Sequence, residues 1–192
     1  MNDPVYTDTL LNGDIHTYNM NALGGFCKDR PTAKTFIYAW LLGAGVGKVS
    51  QILGCSYAEA EWAMDNFLKA TPALKALKRK ASMAAERGYL VGLDGRRLGI
   101  ESDHKALSVY LQGGETVIMR LANVMWYNKA KSLDFRQVVW VHDEWQTEVK
   151  EDQADMLGQI QVQSIRDAGL HFKLNCPLDG EYKIGSNWAE TH

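Results

Sequence analysis

Three side chains spaced four residues apart, Arg30, Lys34 and Tyr38, carry the most suggestive chemistry in the sequence. On a helix they share one face. Two cations and a phenol on one stripe could grip a triphosphate and a sugar. The plainer reading of the same spacing is a solvated basic face. A second group is His142-Asp143-Glu144, set between the apolar run Gln137–Val141 and a strand that resumes from Trp145 to Val149. Carboxylates at the tip of an apolar hairpin have a structural explanation of their own, since turns favour aspartate.

Each group needs an element to hold it. Pro31 suits a first helical turn, with φ fixed and no amide hydrogen to lose. Gly43 and Gly45 suit the exit of that helix, where the chain can turn left-handed. Upstream, Asp3-Pro4 reads as an N-cap and N1 proline leading to Leu11, with Asn12-Gly13 as the stop. Asp14-Ile15-His16-Thr17 opens a short helix to about Leu23, which Gly24-Gly25 breaks. His16 on it has two readings, a functional imidazole or a surface or capping residue.

Downstream, Val46 to Leu53 is helical and ends at Gly54. Ser56 then caps a longer helix with Tyr57, Trp62, Met64, Phe67 and Leu68 as its apolar stripe. Thr71-Pro72 begins another, running through Leu74, Leu77 and Met83 to about Arg87. Its Lys75, Lys78, Arg79 and Lys80 could meet a phosphate backbone, and a solvated polar face explains them as well. Residues Tyr89–Leu98 read as a β-hairpin turning at Asp94-Gly95, with Arg96-Arg97 beside the turn.

From about His104 to Lys131 runs the longest helical stretch, with Leu107, Leu111, Val117, Ile118, Leu121 and Met125 at helical intervals. Gly113-Gly114 inside it costs about 1 kcal/mol per glycine. That cost points to a close backbone approach, by nucleic acid or by another segment. Asp152 is expected to cap a helix through Met156, Ile160, Val162 and Ile165 to Ala168-Gly169, and a last strand is expected around Leu174–Tyr182.

With 192 residues the chain has room for one core or two small subdomains. Charged residues make up 23% and the net charge is −2, so no basic tail announces nucleic acid. Any such contact must come from local clusters such as Lys78-Arg79-Lys80 and Arg96-Arg97. Cys27, Cys55 and Cys176 are odd in number and far apart, which argues for free thiols in a reducing compartment and shows no paired metal-ligand spacing. Neither a signal peptide nor an apolar run of transmembrane length is found, so the cytoplasm is expected and a membrane partner is not.

The stretch from Arg30 to Gly43 resembles the nucleotide-binding helix of the fingers in family A DNA polymerases, the bacterial DNA polymerase I and podovirus replicative enzymes. Their pattern is an arginine, three residues, a lysine, three residues, an aromatic, three residues, then usually tyrosine-glycine. Arg30, Lys34, Tyr38 and Gly43 match in register, while Leu42 stands where most members carry tyrosine. His142-Asp143-Glu144, flanked by Val141 and Trp145, is similar to the family's second catalytic motif on the turn between two palm strands. Asp14-Ile15-His16, Asp94-Gly95-Arg96-Arg97 and Gln112 are similar to family signatures too. The closing Gly185-Ser-Asn-Trp188 and His192 resemble the end of the phage branch, from which an intact natural C-terminus is expected. The resemblance covers nearly all of the chain but only about the C-terminal third, or less, of a whole member.

That resemblance implies an α+β fold: helical fingers with a β-hairpin over residues 1–103, then the C-terminal half of an antiparallel-sheet palm over 104–192. It implies a portion of a DNA-directed DNA polymerase, whose templated nucleotidyl transfer uses two divalent ions about 3.5–4 Å apart. Hard oxygen ligands suit Mg²⁺. Asp143 would supply a bridging metal ligand, Glu144 would sit in the outer sphere, and His142 would steady the primer-end phosphate. Arg30, Lys34 and His16 would neutralise a deoxynucleoside triphosphate, and Tyr38 would pack on its sugar and base. Gln112 would test base-pair geometry through minor-groove acceptors near the primer end, with Arg96 and Lys78 as further DNA contacts. Ser108 replaces an amide side chain often found one turn earlier.

The family's other bridging aspartate, in an Asp-x-Ser-x-x-Glu motif, would lie just upstream of Met1, and no such pattern occurs in the sequence. Thumb and exonuclease regions are absent as well. The expected partners are therefore primer-template DNA, deoxynucleoside triphosphates and an N-terminal polymerase fragment that supplies the missing palm aspartate and the thumb, with or without an exonuclease. If the chain is phage-encoded, the host cytoplasm is its place. Two rival readings stand beside this one: a fragment of a phage-type single-subunit RNA polymerase, against which Glu144 and the C-terminal tail argue, and a non-catalytic nucleic-acid-binding remnant.

Overall fold

The computed structural model describes residues 3–191. The chain divides into two compact units, one up to Gln112 and one from Gly113 onward. The fold is α+β, with helices dominant and two separate antiparallel hairpins among the described residues.

In the first unit, α1 (Pro4–Asn12) is capped by Asp3, whose carboxylate accepts from the Tyr6 amide at 3.0 Å. Asp14 caps α2 (Ile15–Leu23), and Asp29 caps α3 (Arg30–Leu41) with Pro31 in the first turn. Gly43, at φ 95°, ends α3 as expected, and a Cβ there would stand 2.8 Å from the His104 carbonyl oxygen. Gly45 serves differently from expectation. Its φ is −82°, and it is the N-cap of α4 (Val46–Leu53), which exits through left-handed Gly54.

Ser56 and Glu59 form a full capping box at the start of α5 (Tyr57–Ala70). The buried stripe of α5 is Ala60, Ala63 and Phe67, with Met64 and Leu68 partly buried beside it. Tyr57 and Trp62 are exposed instead, because small alanines let α5 approach its neighbours closely and leave the large rings at the rim. Phe67 meets Phe36 and Trp40 of α3 edge-on, with centroids 5.2 and 5.6 Å apart. This aromatic knot, with Leu23 and Val49, is the centre of the core that fixes α3.

Helix α6 (Pro72–Ala85) buries Leu74, Ala81 and Ala84, while Met83 is exposed. Strands β1 (Tyr89–Val91) and β2 (Arg97–Gly99) pair Leu90 with Leu98. The loop between them is longer than a two-residue turn. Gly95 donates to the Gly92 carbonyl and Gly92 to the Arg96 carbonyl, with Gly95 at φ 83°. That is the three-residue hairpin loop in which glycine takes the left-handed position.

Helix α7 (Ala106–Lys129) begins in the first unit, where Ala106 and Leu107 join its core, and continues into the second. There its deeply buried positions are Val117, Met119, Ala122 and Trp126; Leu111 is exposed, and Ile118, Leu121 and Met125 are only half-buried. The apolar period was right, and its deep face is rotated by about one residue. A Cβ at Gly114 would meet nothing within 4 Å, so no described segment makes the close approach its glycine suggested.

In the second unit, β3 (Phe135–Val141) and β4 (Glu144–Val149) form a hairpin with an irregularity between Gln137 and Val139. Trp126 contacts Phe135 and Trp145 at centroid distances of 5.3 and 5.9 Å and pins the hairpin to α7. Helix α8 (Ala154–His171) is preceded by a 3-10 turn over Glu151–Gln153, so Asp152 lies in that turn and does not cap the helix. Gly169 does not stop it either; α8 runs on to His171.

No strand forms over 174–182 among the described residues, which corrects the expected last strand. The segment lies along α8, not beside a strand whose ladder it could join. A Cβ on Gly169 would be 3.0 Å from Leu178, one on Gly180 would be 2.9 Å from Ile165, and one on Gly158 would overlap the Tyr182 ring. The tail thus runs antiparallel to α8, seated on its small residues. It ends in α9 (Trp188–Thr191), and His192 lies outside the described residues.

Candidate active site

The amphipathic division of α3 is sharp. Ala33, Phe36, Ile37 and Trp40 are buried, while Arg30, Lys34 and Tyr38 are exposed on the other side. Tyr38 keeps 55% of its surface in solvent. Neither the Lys34 ammonium nor the Tyr38 hydroxyl bonds to any of the described residues, so both are available to a ligand. Leu42, which departs from the tyrosine of the resembled pattern, is exposed at the C-cap.

Helix α2 brings His16 to the same place. Its ring stands 6.3 Å from that of Tyr38, tilted by 53°. Burial, then the Arg30 and Lys34 charges, hold the imidazole below its ordinary pKa, and Asp14 pulls the other way. The half-buried His16 leaves its Nδ1 without a hydrogen-bond partner. Two cations, a phenol and an imidazole are therefore gathered on one surface of the first unit; the spacing accounts for Arg30, Lys34 and Tyr38, and α2 adds His16.

Asp14 went unnoticed in the sequence except as a helix opener. One of its oxygens, Oδ1, accepts from the amides of His16 and Thr17 at 3.0 and 3.3 Å. Oδ2 accepts from the Thr17 hydroxyl and from Arg30 Nε, both at 2.7 Å. The guanidinium, then the Thr17 hydroxyl, hold the Asp14 carboxyl far below the usual carboxylate range. The signal that could have found it is the preference of N-caps for aspartate, combined with the knowledge that α2 and α3 pack together.

The other candidate nucleic-acid residues of this unit sit on separate elements. Lys78 on α6 places its ammonium 4.9 Å from the centroid of the Trp40 ring, so part of its role is to hold α6 against α3. Arg96, in the hairpin loop, is paired with Asp94 at 2.5 Å. Its neighbour Arg97 lies over Tyr89, 4.6 Å from the ring centroid. Gln112 is exposed on α7, whereas Ser108, one turn earlier, is buried and does not share that surface.

In the second unit, His142 and Asp143 form the two-residue turn of the β3–β4 hairpin, and Glu144 is the first residue of β4, opposite Val141. His142 takes φ 51°, a left-handed conformation that is uncommon without glycine. Trp140 Nε1 donates to the His142 carbonyl at 2.9 Å and helps hold the turn. Asp143 is exposed, and its carboxylate accepts no hydrogen bond from the described residues. Glu144 is pinned instead: its Oε1 accepts from Gln146 Nε2 and, at 3.3 Å, from Trp188 Nε1. Gln146 in turn accepts from the Thr191 hydroxyl at 3.1 Å. Strand alternation places Gln146 on the face of Glu144, a hint that period-two reading could have used.

Hard divalent cations take carboxylate oxygens. Asp143 has such oxygens to offer, but among the described residues no three His, Cys, Asp or Glu side chains converge on one point. The donor set fits part of a metal site and not a complete one. Beside the turn, a cleft of about 980 Å³ opens between β3–β4, α8 and the tail, lined by Val138, Glu144, Leu157, Val162, Tyr182 and Trp188 among others. Elsewhere, the three cysteines form no disulfide. No helix of the described residues is long and apolar enough to cross a membrane.

A family model described as DNA polymerase family A matches residues 7–190. The chain is 34% identical to a DNA-directed DNA polymerase of Escherichia phage Phieco32, over 98% of its own length and 32% of the relative's. It is 33% identical to the DNA-directed DNA polymerase of Escherichia phage T7, over 97% of this chain and 30% of that one. The chain thus spans about a third of the length of these curated relatives. The fold is similar to that of the POL domain of Pol1 from M. smegmatis, solved in complex with DNA primer-template and dNTP, with a TM-score of 0.74 and 20% identity over 85% of this chain and 33% of that one. Matched almost from end to end by the family model, the chain belongs to DNA polymerase family A.

Proposed function

We propose that this chain is the C-terminal portion of a DNA-directed DNA polymerase, with the fingers in residues 1–103 and part of the palm in 104–192. The observation that carries this reading is the gathering of Arg30, Lys34, Tyr38 and His16 on one exposed surface. Arg30 and Lys34 bind the phosphates of an incoming deoxynucleoside triphosphate, and their charges oppose the negative charge that grows on the leaving pyrophosphate. His16 adds a hydrogen-bond donor, and Tyr38 packs on the sugar and base. Asp143 offers its carboxylate to Mg²⁺, Glu144 stays in the outer sphere, and His142 steadies the primer-end phosphate. When bound, a pair of such ions stabilises the attacking and leaving oxygens of the displacement. Gln112, Arg96 and Lys78 contact primer-template DNA.

The second carboxylate comes, in this reading, from an N-terminal fragment that also brings a thumb, with or without an exonuclease. The incomplete donor set around Asp143 and the cleft beside β3–β4 support that requirement. Unpaired strand edges and exposed apolar walls are surfaces that natural proteins cover. The names of the phage relatives support a place in the host cytoplasm.

The test is complementation. The purified chain is mixed with an N-terminal fragment of a family member that carries the Asp-x-Ser-x-x-Glu motif, and extension of a primed template is followed with and without Mg²⁺. Extension is expected only with both chains and the metal ion. In the mixture, Asp143→Asn should slow extension by about a thousandfold or more, since a lost metal bridge removes several kcal/mol of transition-state stabilisation. Extension retained within tenfold in that variant would overturn the metal assignment. A chain that binds primed DNA but never complements would favour the non-catalytic remnant.

A further inference from the structure

We propose that Asp14 is a positioning residue for the triphosphate grip, holding Arg30 and His16 in one fixed geometry. This rests on the reading of Arg30, Lys34, Tyr38 and His16 as the nucleotide surface. The argument begins with how the carboxylate divides its two oxygens. Oδ1 accepts only backbone amides, those of His16 and Thr17, and so closes the first turn of α2, the turn that carries His16. Oδ2 accepts from Thr17 Oγ1 and from Arg30 Nε at the start of α3. A single side chain thereby ties the backbone of His16 to the guanidinium of Arg30 across two helices.

The mode of Arg30 binding matters more than the ion pair itself. An exposed pair of this kind contributes little to stability. A guanidinium carries five N–H donors in a rigid fork, and the carboxylate engages only Nε. The four N–H groups on the terminal nitrogens bond to none of the described residues. Arginine held by Nε has less freedom about its long stem, and its terminal nitrogens keep their donors for phosphate oxygens. Pre-ordering a flexible side chain reduces the rotamer entropy lost when the ligand binds. Against this stands the negative charge of Asp14 itself, which repels a polyphosphate. The two effects have opposite signs, so a measurement separates them.

Asp14→Asn is the informative variant. Asparagine is as good an N-cap as aspartate, so Oδ1 can keep the amides of His16 and Thr17. Its amide nitrogen then stands where Oδ2 was, a donor facing the Arg30 Nε donor. The cap survives and the hold on Arg30 is lost. Binding of dATP to the full-length chain is measured by titration calorimetry for wild type, Asp14→Asn, Arg30→Ala, the double variant and Lys34→Ala, with thermal unfolding of each.

Asp14→Asn should leave the unfolding temperature nearly unchanged and weaken dATP about fivefold to tenfold, the scale of one ordinary net hydrogen bond. In the Arg30→Ala background the same change should weaken binding no further, which a merely structural role for Asp14 would not produce. Equal or tighter binding by Asp14→Asn, or effects that simply add, would overturn the proposal while Lys34→Ala still weakens binding and the grip stands. Wild-type protein that does not bind dATP, or binds it indifferently to Lys34→Ala, would remove the underlying reading and this inference with it.

Discussion

Gly158→Ala is a substitution whose sign can be reversed on purpose. Gly158 lies inside α8, where alanine is normally better than glycine by about 1 kcal/mol. Yet a Cβ at Gly158 would overlap the ring of Tyr182, with Tyr182 Cγ only 2.5 Å away, so the ring and the tail that carries it must move. Tyr182 is 39% exposed. Burying a whole large apolar side chain is worth up to about 3 kcal/mol, so displacing this ring forfeits about 1–2 kcal/mol. Its hydroxyl also donates to Asp155, and losing that bond costs about 1 kcal/mol more. The net expectation is destabilisation by about 1–2 kcal/mol, concentrated in the tail. Limited proteolysis should then cut the 176–191 segment about tenfold faster, and hydrogen exchange there should rise. With Tyr182→Ala already present the obstacle is gone, and the same Gly158→Ala change should stabilise by about 1 kcal/mol. If Gly158→Ala stabilised the protein in both backgrounds and left tail proteolysis unchanged, the packing of the tail on α8 would be wrong.

Two further outcomes follow from the same geometry. Gly114→Ala should raise stability by about 1 kcal/mol by thermal unfolding, since its Cβ meets nothing within 4 Å; weaker primed-DNA binding by that variant would show that the glycine leaves room for DNA, and unchanged binding would show that it does not. Tyr38→Phe should leave thermal unfolding unchanged, because the hydroxyl bonds to none of the described residues, and should make the complemented enzyme discriminate more strongly against dideoxynucleotides in terminator assays; unchanged terminator use would refute the sugar contact.

What could be read in the sequence was mostly what is decided within a few residues. Asp3, Asp14 and Ser56 cap as their types demand, and Gly43 and Gly54 take the positive φ that ends α3 and α4. The four-residue spacing of Arg30, Lys34 and Tyr38 carried over directly, because one buried face of α3 leaves only the opposite face for them. Failures came where a distant partner decides. Tyr57 and Trp62 belong to the apolar stripe expected for α5, but Ala60 and Ala63 set the spacing of the helix and leave the two rings exposed. The 174–182 segment carries Asn175, Pro177, Asp179 and Gly180, which disfavour a strand, and the surface beside it is a helix with glycines at its contact points, so it packs through side chains and forms no ladder. Asp152 has the right type for a cap, and the 3-10 turn at Glu151–Gln153 moves the helix start past it.

The two chemical halves also differ in self-sufficiency, and local structure explains why. The cationic surface is held by contacts inside the first unit: the Phe36–Trp40–Phe67 knot beneath α3, and Asp14 across to Arg30. Those contacts lie among residues of the chain itself, so the proposed triphosphate binding is tested first on this chain by itself. The acidic turn is held just as firmly, by Trp140 on the His142 carbonyl and by Gln146 and Trp188 on Glu144. Firm placement does not make a metal site, however. Among the described residues no group of three His, Cys, Asp or Glu side chains gathers around Asp143, and in the proposed reading a second carboxylate comes from the N-terminal fragment. Binding assays therefore test the cationic half alone, and catalysis tests both halves at once. A variant that loses catalysis but keeps dATP binding belongs to the acidic turn, and one that loses both belongs to α2 or α3.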